Sequence, residues 1–419
     1  MGLTWHVARQ NQILCFKFCA AHPDKRKSFA LGRPMPLSSS SATAYHAAGL
    51  ITFFALGAAP TPIYRLYQEA WGFSPLTLTL VFGIYAVALL ASLLTLGSLG
   101  DHLGRRPAIA LALVLQILSL TLFIEADGVP MLLAARIVQG ISTGIAGSSF
   151  GAALMDSSPS RGPGLNSMAP LFGLTVGIVL TGVLVQFAPF PTRLVFVLML
   201  LACLGLLLLL ARVPETVRHP RRPPLAALLP RIAIPEAARR PLLLGTPIIV
   251  TVWATGGLYL SLMPSLLRAA TGSSSALVGA GAVSLLTLFG LLGTRVARRL
   301  HTGQILRLGA LCLSIGPLVV LAGVALGSMP VIALGSAIAG LGFGGSFLGV
   351  MGWVMPLGGA EGRAGLLSAF YVISYLAFCV PAMLGGLAAG EFGLVPAICG
   401  YLLGLSALGA TALATAWRR

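Results

Sequence analysis

The sequence predicts an all-α membrane protein in which twelve transmembrane helices form two pseudo-symmetric six-helix bundles. The prediction depends on the composition, on twelve long apolar runs and on an internal repeat. Of the 419 residues, 57% are hydrophobic and 9% are charged, and the mean hydropathy is +0.94. Soluble domains carry about 25% charged residues. The composition therefore excludes a single soluble domain.

Each of the twelve apolar runs is long enough to cross a hydrocarbon layer of about 30 Å as an α-helix. The runs are rich in Leu, Ala and Gly and lack the period-two alternation of a transmembrane β-barrel, so helices are favoured. They cover residues 44–63, 76–99, 107–126, 131–155, 165–188, 193–213, 243–267, 275–296, 304–326, 330–355, 364–388 and 393–417.

An internal repeat relates the first six runs to the last six. Pro62 near the end of run 1 matches Pro264 near the end of run 7, and "WGFS" from Trp71 matches "TGSS" from Thr271. Both pairs lie about 200 residues apart, and a shared offset of this kind indicates two copies of one structural unit. The repeat predicts two bundles rather than one continuous array.

The chain divides into four predicted regions. Residues 1–42, with "HPDKRKS" and "PLSSSSAT", read as a disordered cytoplasmic extension. The two bundles cover 43–213 and 242–419. Between them, residues 214–241 are rich in proline and arginine, and repeated proline prevents a continuous helix. This linker is expected in the cytoplasm.

The net charge of +17 is explained by topology. With the amino terminus inside, most of the 27 basic residues fall on the cytoplasmic side; Arg65, Arg193 and Arg268 fall outside and Arg136 lies within a run. This bias orients membrane helices. We therefore expect both termini in the cytoplasm, a multi-pass protein of the cytoplasmic (inner) membrane, the lipid bilayer as partner and no nucleic-acid binding.

The stretch "GSLGDHLGRR" interrupts the apolar sequence at residues 97–106. It places Asp101 between Gly97 and Gly104 and is completed by Arg105 and Arg106. Small residues let helix ends approach closely. A carboxylate at a membrane edge is costly unless it is paired, and Arg105 follows Asp101 at helical spacing.

This stretch resembles the loop between helices 2 and 3 of the major facilitator superfamily. The resemblance implies a secondary transporter that works by alternating access. It also implies that Asp101 meets the amino-terminal end of helix 11, here the segment with Glu361 and Arg363, and so latches the two halves in the outward-open state. The alternative is a turn that only sets topology, although topology alone would not need the aspartate.

The sequence "LLAARIVQG" in run 4 resembles a helix-4 pattern of the same superfamily through Arg136, Gln139 and Gly140. The resemblance implies a role for Arg136 in a cavity, in substrate or proton handling, because an arginine within a span faces water or a partner. The alternative is an arginine that extends to the membrane surface.

Run 5 contains three glycines, Gly173, Gly177 and Gly182, that are expected to pack helices closely. The segment resembles the helix-5 motif of drug–proton antiporters, but Ile178 replaces its proline and Thr181 replaces a glycine. These departures leave close packing in place and weaken the antiporter assignment.

The resemblance implies a substrate cavity lined mainly by helices 1, 4, 7 and 10. Its aromatic candidates, each of which could instead pack or face lipid, are Tyr64, Tyr85, Trp253, Tyr259, Phe343, Phe347 and Trp353. An aromatic cavity suits amphipathic or neutral-to-anionic organic substrates. No acid lies near the middle of any run, so proton coupling stays open, with Asp156 and Glu69 as candidates.

Enzymatic readings are excluded by context. "GSSFG" and "GLGFGG" match a hydrolase and a dinucleotide-binding pattern, but both lie in apolar helices without a preceding strand. The six cysteines show no metal spacing. We expect no cofactor and no metal, and a monomer that exports amphipathic drug-like compounds or metabolites by proton exchange. The alternatives are uptake by proton symport, facilitated diffusion, and a non-transporting sensor of the same fold.

Overall fold

The computed structural model describes residues 37–217, 229–230, 232–273 and 275–417, and within these ranges the chain is helical without strands. The predicted extension at 1–42 and linker at 214–241 therefore lie partly outside the described residues. The helices are α1 Ser39–Ala58, α2 Tyr64–Trp71, α3 Pro75–Leu96, α4 Leu99–Leu103, α5 Arg105–Ile124, α6 Val129–Ser157, α7 Gly162–Phe187, α8 Leu194–Leu210, α9 Glu236–Ser261, α10 Met263–Thr271, α11 Ala276–Ala297, α12 Thr302–Ala325, α13 Met329–Val354, α14 Gly359–Phe392 and α15 Leu394–Trp417.

The predicted all-α membrane fold is confirmed, whereas the count of twelve spans is shown only in part. In the described part of the chain, ten helices are long and apolar enough to cross a membrane. The helix α8 has 17 residues and is shorter than a typical span. The helix α1 begins with three serines and also carries Tyr45 and His46, which lower its hydropathy.

Local sequence explains where these helices begin. The side chain of Ser38 accepts a hydrogen bond from the Ser41 N–H at the start of α1. Ser74 does the same for the Thr77 N–H, and Pro75 occupies the first position of α3. A hydroxyl at this position satisfies an unpaired helix donor, and proline at the first position loses no internal bond.

Each copy of the sequence repeat contains a short helix at this position. The helix α2 begins just after the turn that holds Pro62, and α10 begins at Met263 with Pro264 in its first turn. Both helices end at a glycine in the left-handed region, Gly72 with φ 64° and Gly272 with φ 69°. Glycine occupies this region without the steric cost that other residues meet.

The two halves meet along two seams, α3 against α14 and α7 against α11. Polar contacts follow the α7–α11 seam from end to end. Ser275 donates to Gln186 at 3.1 Å, the Thr175 and Thr287 hydroxyls lie 2.7 Å apart, and the Arg298 guanidinium donates to the Gly164 carbonyl at 3.2 Å. We call the end with α4 and Arg298 the linker face, and the end with α2 and α10 the far face.

Candidate functional site

The stretch at residues 97–106 lies on the linker face and forms a charged network. Asp101 Oδ1 lies 2.6 Å from Arg105 Nη1, and the Asp101 side chain is 60% exposed. The Nε of Arg105 also reaches Asp156 Oδ2 at 3.2 Å, and the Thr216 hydroxyl donates to the same oxygen at 2.9 Å. The network thus joins α4, the start of α5, the end of α6 and the chain after α8.

Glu215 caps helix α5 from a distant part of the chain. Its two carboxylate oxygens accept the backbone N–H groups of Arg105 and Arg106, each at 2.9 Å. A carboxylate is stabilising here because the first N–H groups of a helix have no internal partner. Gly104 makes room for it, since its φ is 106° and a Cβ there would lie 2.7 Å from Glu215 Oε2.

Glu215 was not among the site residues predicted from the sequence. The available signal was an acid directly after the sixth span, in a linker where Glu236 is the one other acid among many arginines. Its pairing with residues more than a hundred positions earlier is a tertiary contact that spacing does not reveal.

The contact between Asp101 and the second half stays a prediction. Among the described side chains, the ion-pair partner of Asp101 is Arg105, from its own half. Arg363 is exposed on α14, and the side chain of Glu361 on the same helix lies outside what the structure describes. Gly97 follows the last residue of α3.

The pair Arg136 and Gln139 binds the broken end of α1. Pro60 has no N–H, so the Leu56 carbonyl lacks its helical donor, and Thr61 N–H bonds Ala58 rather than Gly57. Arg136 Nη1 donates to the Gly57 carbonyl at 3.3 Å and Gln139 Nε2 to the Leu56 carbonyl at 3.1 Å. The three-residue spacing places both side chains on one face of α6.

Arg136 lies between two tyrosine rings. Its Cζ is 5.4 Å from the ring centroid of Tyr64 and 4.6 Å from that of Tyr85. The arginine is 0% exposed, and Nη1 also donates to Gln139 Oε1. The position that corresponds to Arg136 in the second half holds Ser336, whose hydroxyl lies 2.9 Å from the Tyr259 hydroxyl. Within the described residues, the buried charge at this position therefore belongs to the first half.

The predicted packing glycines lie at helix contacts. A Cβ at Gly140 of α6 would lie 2.8 Å from the Ala88 Cβ of α3. Gly173 and Gly177 of α7 lie against α1, where a Cβ at Gly177 would overlap the backbone of Ala55. Gly182 of α7 faces Ala280 of α11, across the seam between the halves.

An aromatic cluster, Trp253, Phe347, Tyr375 and Phe378, occupies the second half. The ring of Trp253 on α9 lies 5.8 Å from Phe347, 5.1 Å from Tyr375 and 5.6 Å from Phe378. Trp253, Phe347 and Tyr375 are partly exposed. Across the α3–α14 seam, the ring of Phe82 lies 4.7 Å from that of Phe378.

The other aromatic candidates have different surroundings. Phe343 is partly exposed on α13 and would meet a Cβ at Gly256 at 3.2 Å. Trp353 lies further along α13 near Gly245, while Tyr259 is 1% exposed. Tyr375 and Phe378 were not among the candidates predicted from the sequence, because the predicted cavity was lined by helices 1, 4, 7 and 10, whereas both residues belong to α14.

The far face holds an ion pair and a cavity between the halves. Glu69 Oε1 of α2 lies 2.8 Å from Arg268 Nη1 of α10 and 3.0 Å from Arg65 Nε. Beside this pair is a cavity of about 210 Å³, lined by α2, α7, α10 and α11 and including Gln186 and Ser275. None of the predicted substrate residues lines it.

Comparisons with known proteins agree with this architecture. The sequence profile of the Major Facilitator Superfamily matches residues 44–382. A crystal structure of a D-xylose–proton symporter has a TM-score of 0.67 and 16% identity, with 91% of this chain and 97% of that chain covered. A mutant of the nucleoside transporter NupG has a TM-score of 0.68 and 10% identity, covering 90% and 98%. No curated protein sequence matches the chain significantly.

These identities are low, so the two solved structures show the shared fold, and the profile match over most of the chain shows the family. The chain therefore belongs to the Major Facilitator Superfamily and is a membrane transporter of small solutes rather than an enzyme.

Proposed function

We propose that this protein exports amphipathic, drug-like organic compounds or metabolites by alternating access, driven by proton exchange. The observation that carries the proposal is the chemistry at its centre. Aromatic rings converge there from both halves, with Phe82 against Phe378 and Trp253 against Tyr375. No acid is buried among the described residues. Such surfaces bind solutes by stacking and removal of apolar area from water.

Alternating access requires contacts that form at one face while those at the other break. The far face supplies the ion pair between Glu69 and Arg268, which joins the two halves. The linker face supplies the network of Asp101, Arg105 and Asp156. We propose that Asp101 bonds the start of α14 when the far face is open. The contact at the linker face then stabilises the far-face-open conformation, and the ion pair at the far face stabilises the opposite one.

Uptake by symport is the second candidate. It is favoured by the two similar structures, which are a D-xylose–proton symporter and a nucleoside transporter. Sugars and nucleosides need many hydrogen bonds, whereas the partly exposed rings of Trp253 and Phe347 offer mostly apolar surface. For this reason we favour amphipathic solutes. We also propose a cytoplasmic (inner) membrane location, cytoplasmic termini and a monomer.

The test is transport by purified protein in proteoliposomes with an imposed proton gradient. Export by proton exchange predicts that a fluorescent amphipathic dye moves against the direction of proton flow and that dissipation of the gradient stops it. Movement of dye and protons in the same direction would replace exchange by symport. Dye movement without any effect of the gradient would leave facilitated diffusion, and ligand binding without flux would indicate a sensor.

The variant Asp101→Asn distinguishes a latch between the two halves from a turn that only sets membrane topology. If Asp101 holds the start of α14 in one state, the variant loses most dye transport while its amount in the membrane is unchanged. Asp127→Asn is the matched control, because Asp127 lies in the loop before α6, away from the network. Equal transport by the two variants would contradict a latch role.

A further inference from the structure

We propose that the central site selects aromatic organic anions, with the acidic group near Arg136 and the ring on the aromatic cluster of the second half. This inference rests on the proposed function, because it names the substrate class of the same site. Four observations carry it: a buried charge without a counter-charge, a partly exposed aromatic wall, an enclosed donor without an acceptor, and one helix face that joins them.

The first observation is the charge of Arg136. The guanidinium stays protonated in proteins, and the side chain is 0% exposed. Its described hydrogen bonds go to the neutral oxygens of Gly57 and Gln139, and its ring neighbours are tyrosines. No Asp or Glu belongs to the buried part of the described chain. An uncompensated cation in a low-dielectric interior favours a nearby anion and disfavours a cation.

The second and third observations concern Trp253. Its ring contacts Phe347 of α13 and Tyr375 of α14, and all three side chains keep part of their surface open. The indole Nε1 is fully enclosed and has no acceptor among the described atoms. An indole N–H only donates, and an enclosed donor without a partner is costly. A ligand oxygen would satisfy it while the ligand ring stacks on the wall.

The fourth observation is the position of α3 between these groups. Phe82 contacts Phe378 of the aromatic cluster, with ring centroids 4.7 Å apart. Tyr85 follows three residues later, on the same face, and covers Arg136 at 4.6 Å. The rings of Phe82 and Tyr85 are therefore about one helical turn apart along α3, roughly 5 Å, so α3 contacts the buried charge with one ring and the aromatic cluster with the other.

The experiment uses three ligands with one ring system: naphthoate, naphthamide and naphthylmethylamine. Binding to the full-length protein in nanodiscs is followed by quenching of intrinsic fluorescence, to which the five tryptophans contribute. We expect naphthoate to bind at least about tenfold more tightly than the amide, and the amine most weakly, because only the acid compensates the buried charge. Equal or tighter binding of the amide or the amine overturns the inference, as does no binding of naphthoate.

Variants assign the preference to the residues named. Arg136→Gln should abolish the difference between acid and amide, and Arg193→Gln, which removes a charge on the far face, should retain it. Trp253→Phe should weaken the binding of all three ligands without changing their order of affinity, and Trp71→Phe is its control. Because Arg136 also binds α1, size-exclusion behaviour and thermal unfolding are measured for each variant. The three-ligand comparison on the unmodified protein needs no variant.

Transport of the same ligands separates this inference from the proposed function. Proton-coupled flux of the amide or the amine but not of the acid would overturn the anion preference and leave export in place. Binding of naphthoate with no flux of any ligand would retain the anion site and overturn transport of this class.

Discussion

Pro60 shows how one residue can determine the partners of two others. Because proline lacks an N–H, the carbonyl of Leu56 is free for a side chain from another helix. Gln139 takes that carbonyl, and Arg136 takes the neighbouring carbonyl of Gly57. The sequence motif around Arg136 therefore has a structural task that its position in run 4 did not indicate.

At the same scale, we predict that Glu215→Ala destabilises the protein by about 1–2 kcal/mol, because the N–H groups that begin α5 lose their acceptor. The carboxylate also accepts the N–H groups of Thr216 and Val217. The measurement is thermal unfolding in detergent.

Glu236→Ala is the matched control for Glu215→Ala. Glu236 is also an acid at a helix start, in the first turn of α9, but it is exposed. A similar loss of stability in both variants would show that the hydrogen bonds of Glu215 contribute little beyond the favourable effect of a negative charge at a helix start.

Individual residues differ in how far the sequence could predict them. The loop at Asp101 and Arg105 could be found because its residues are consecutive and unusual for an apolar chain. The partners Asp156 and Thr216 could not, since the ion pair of Asp156 with Arg105 joins separate helices and Thr216 reaches Asp156 from the chain after α8. Spacing along the chain predicts neighbours on one helix and carries no information on contacts between distant segments.

At the scale of elements, helix α7 is positioned by glycines. Gly173 and Gly177 face α1, and Gly182 faces α11, so one helix contacts its own half and the other half through small residues. The spacing of four residues places Gly173 and Gly177 on one side of α7, a periodic signal that was readable from the sequence, whereas the five-residue step to Gly182 turns that glycine toward α11.

We predict that Gly177→Ala costs about 1–3 kcal/mol, because its Cβ would overlap the backbone of α1 and backbone cannot move aside as a flexible side chain can. The measurement is again thermal unfolding. The control is Gly205→Ala on α8, where a Cβ meets nothing within 4 Å. That substitution should be neutral or stabilise by about 0.5–1 kcal/mol. Equal effects of the two variants would contradict the packing role.

Helix α14 shows the limit of sequence reasoning at this scale. It has 34 residues and apolar side chains on all sides, so its pattern does not distinguish the face toward α3 from the face toward lipid. Tyr375 and Phe378 belong to the aromatic cluster only because α9 and α3 pack there. Their role depends on the arrangement of three helices.

At the scale of the whole molecule, the far-face ion pair is the described polar link between α2 and α10. We predict that Glu69→Gln or Arg268→Gln shifts the population toward a far-face-open state by about two- to fivefold, the range expected for an exposed pair. The measurement is the distance between spin labels at Ala70→Cys and Ala269→Cys in a background without other reactive cysteines.

A double variant provides the control for this shift. If the two side chains act through each other, Glu69→Gln with Arg268→Gln shifts the distance distribution no further than either single variant. Additive shifts would mean that each residue acts through separate contacts. If no variant shifts the distance, the ion pair does not control the conformational change.

The α7–α11 seam affects the rate at which the two halves reorient. Polar pairs at both ends and at its middle, where Thr175 meets Thr287, must be broken and re-formed whenever the halves reorient. The two end pairs are exposed, so water replaces their partners, whereas a hydroxyl separated at the middle of the seam inside the bilayer has no water to accept it. The activation free energy of each transport cycle therefore depends on how many of these bonds break together. The α7–α11 seam then governs the turnover rate even for a solute that binds far from it.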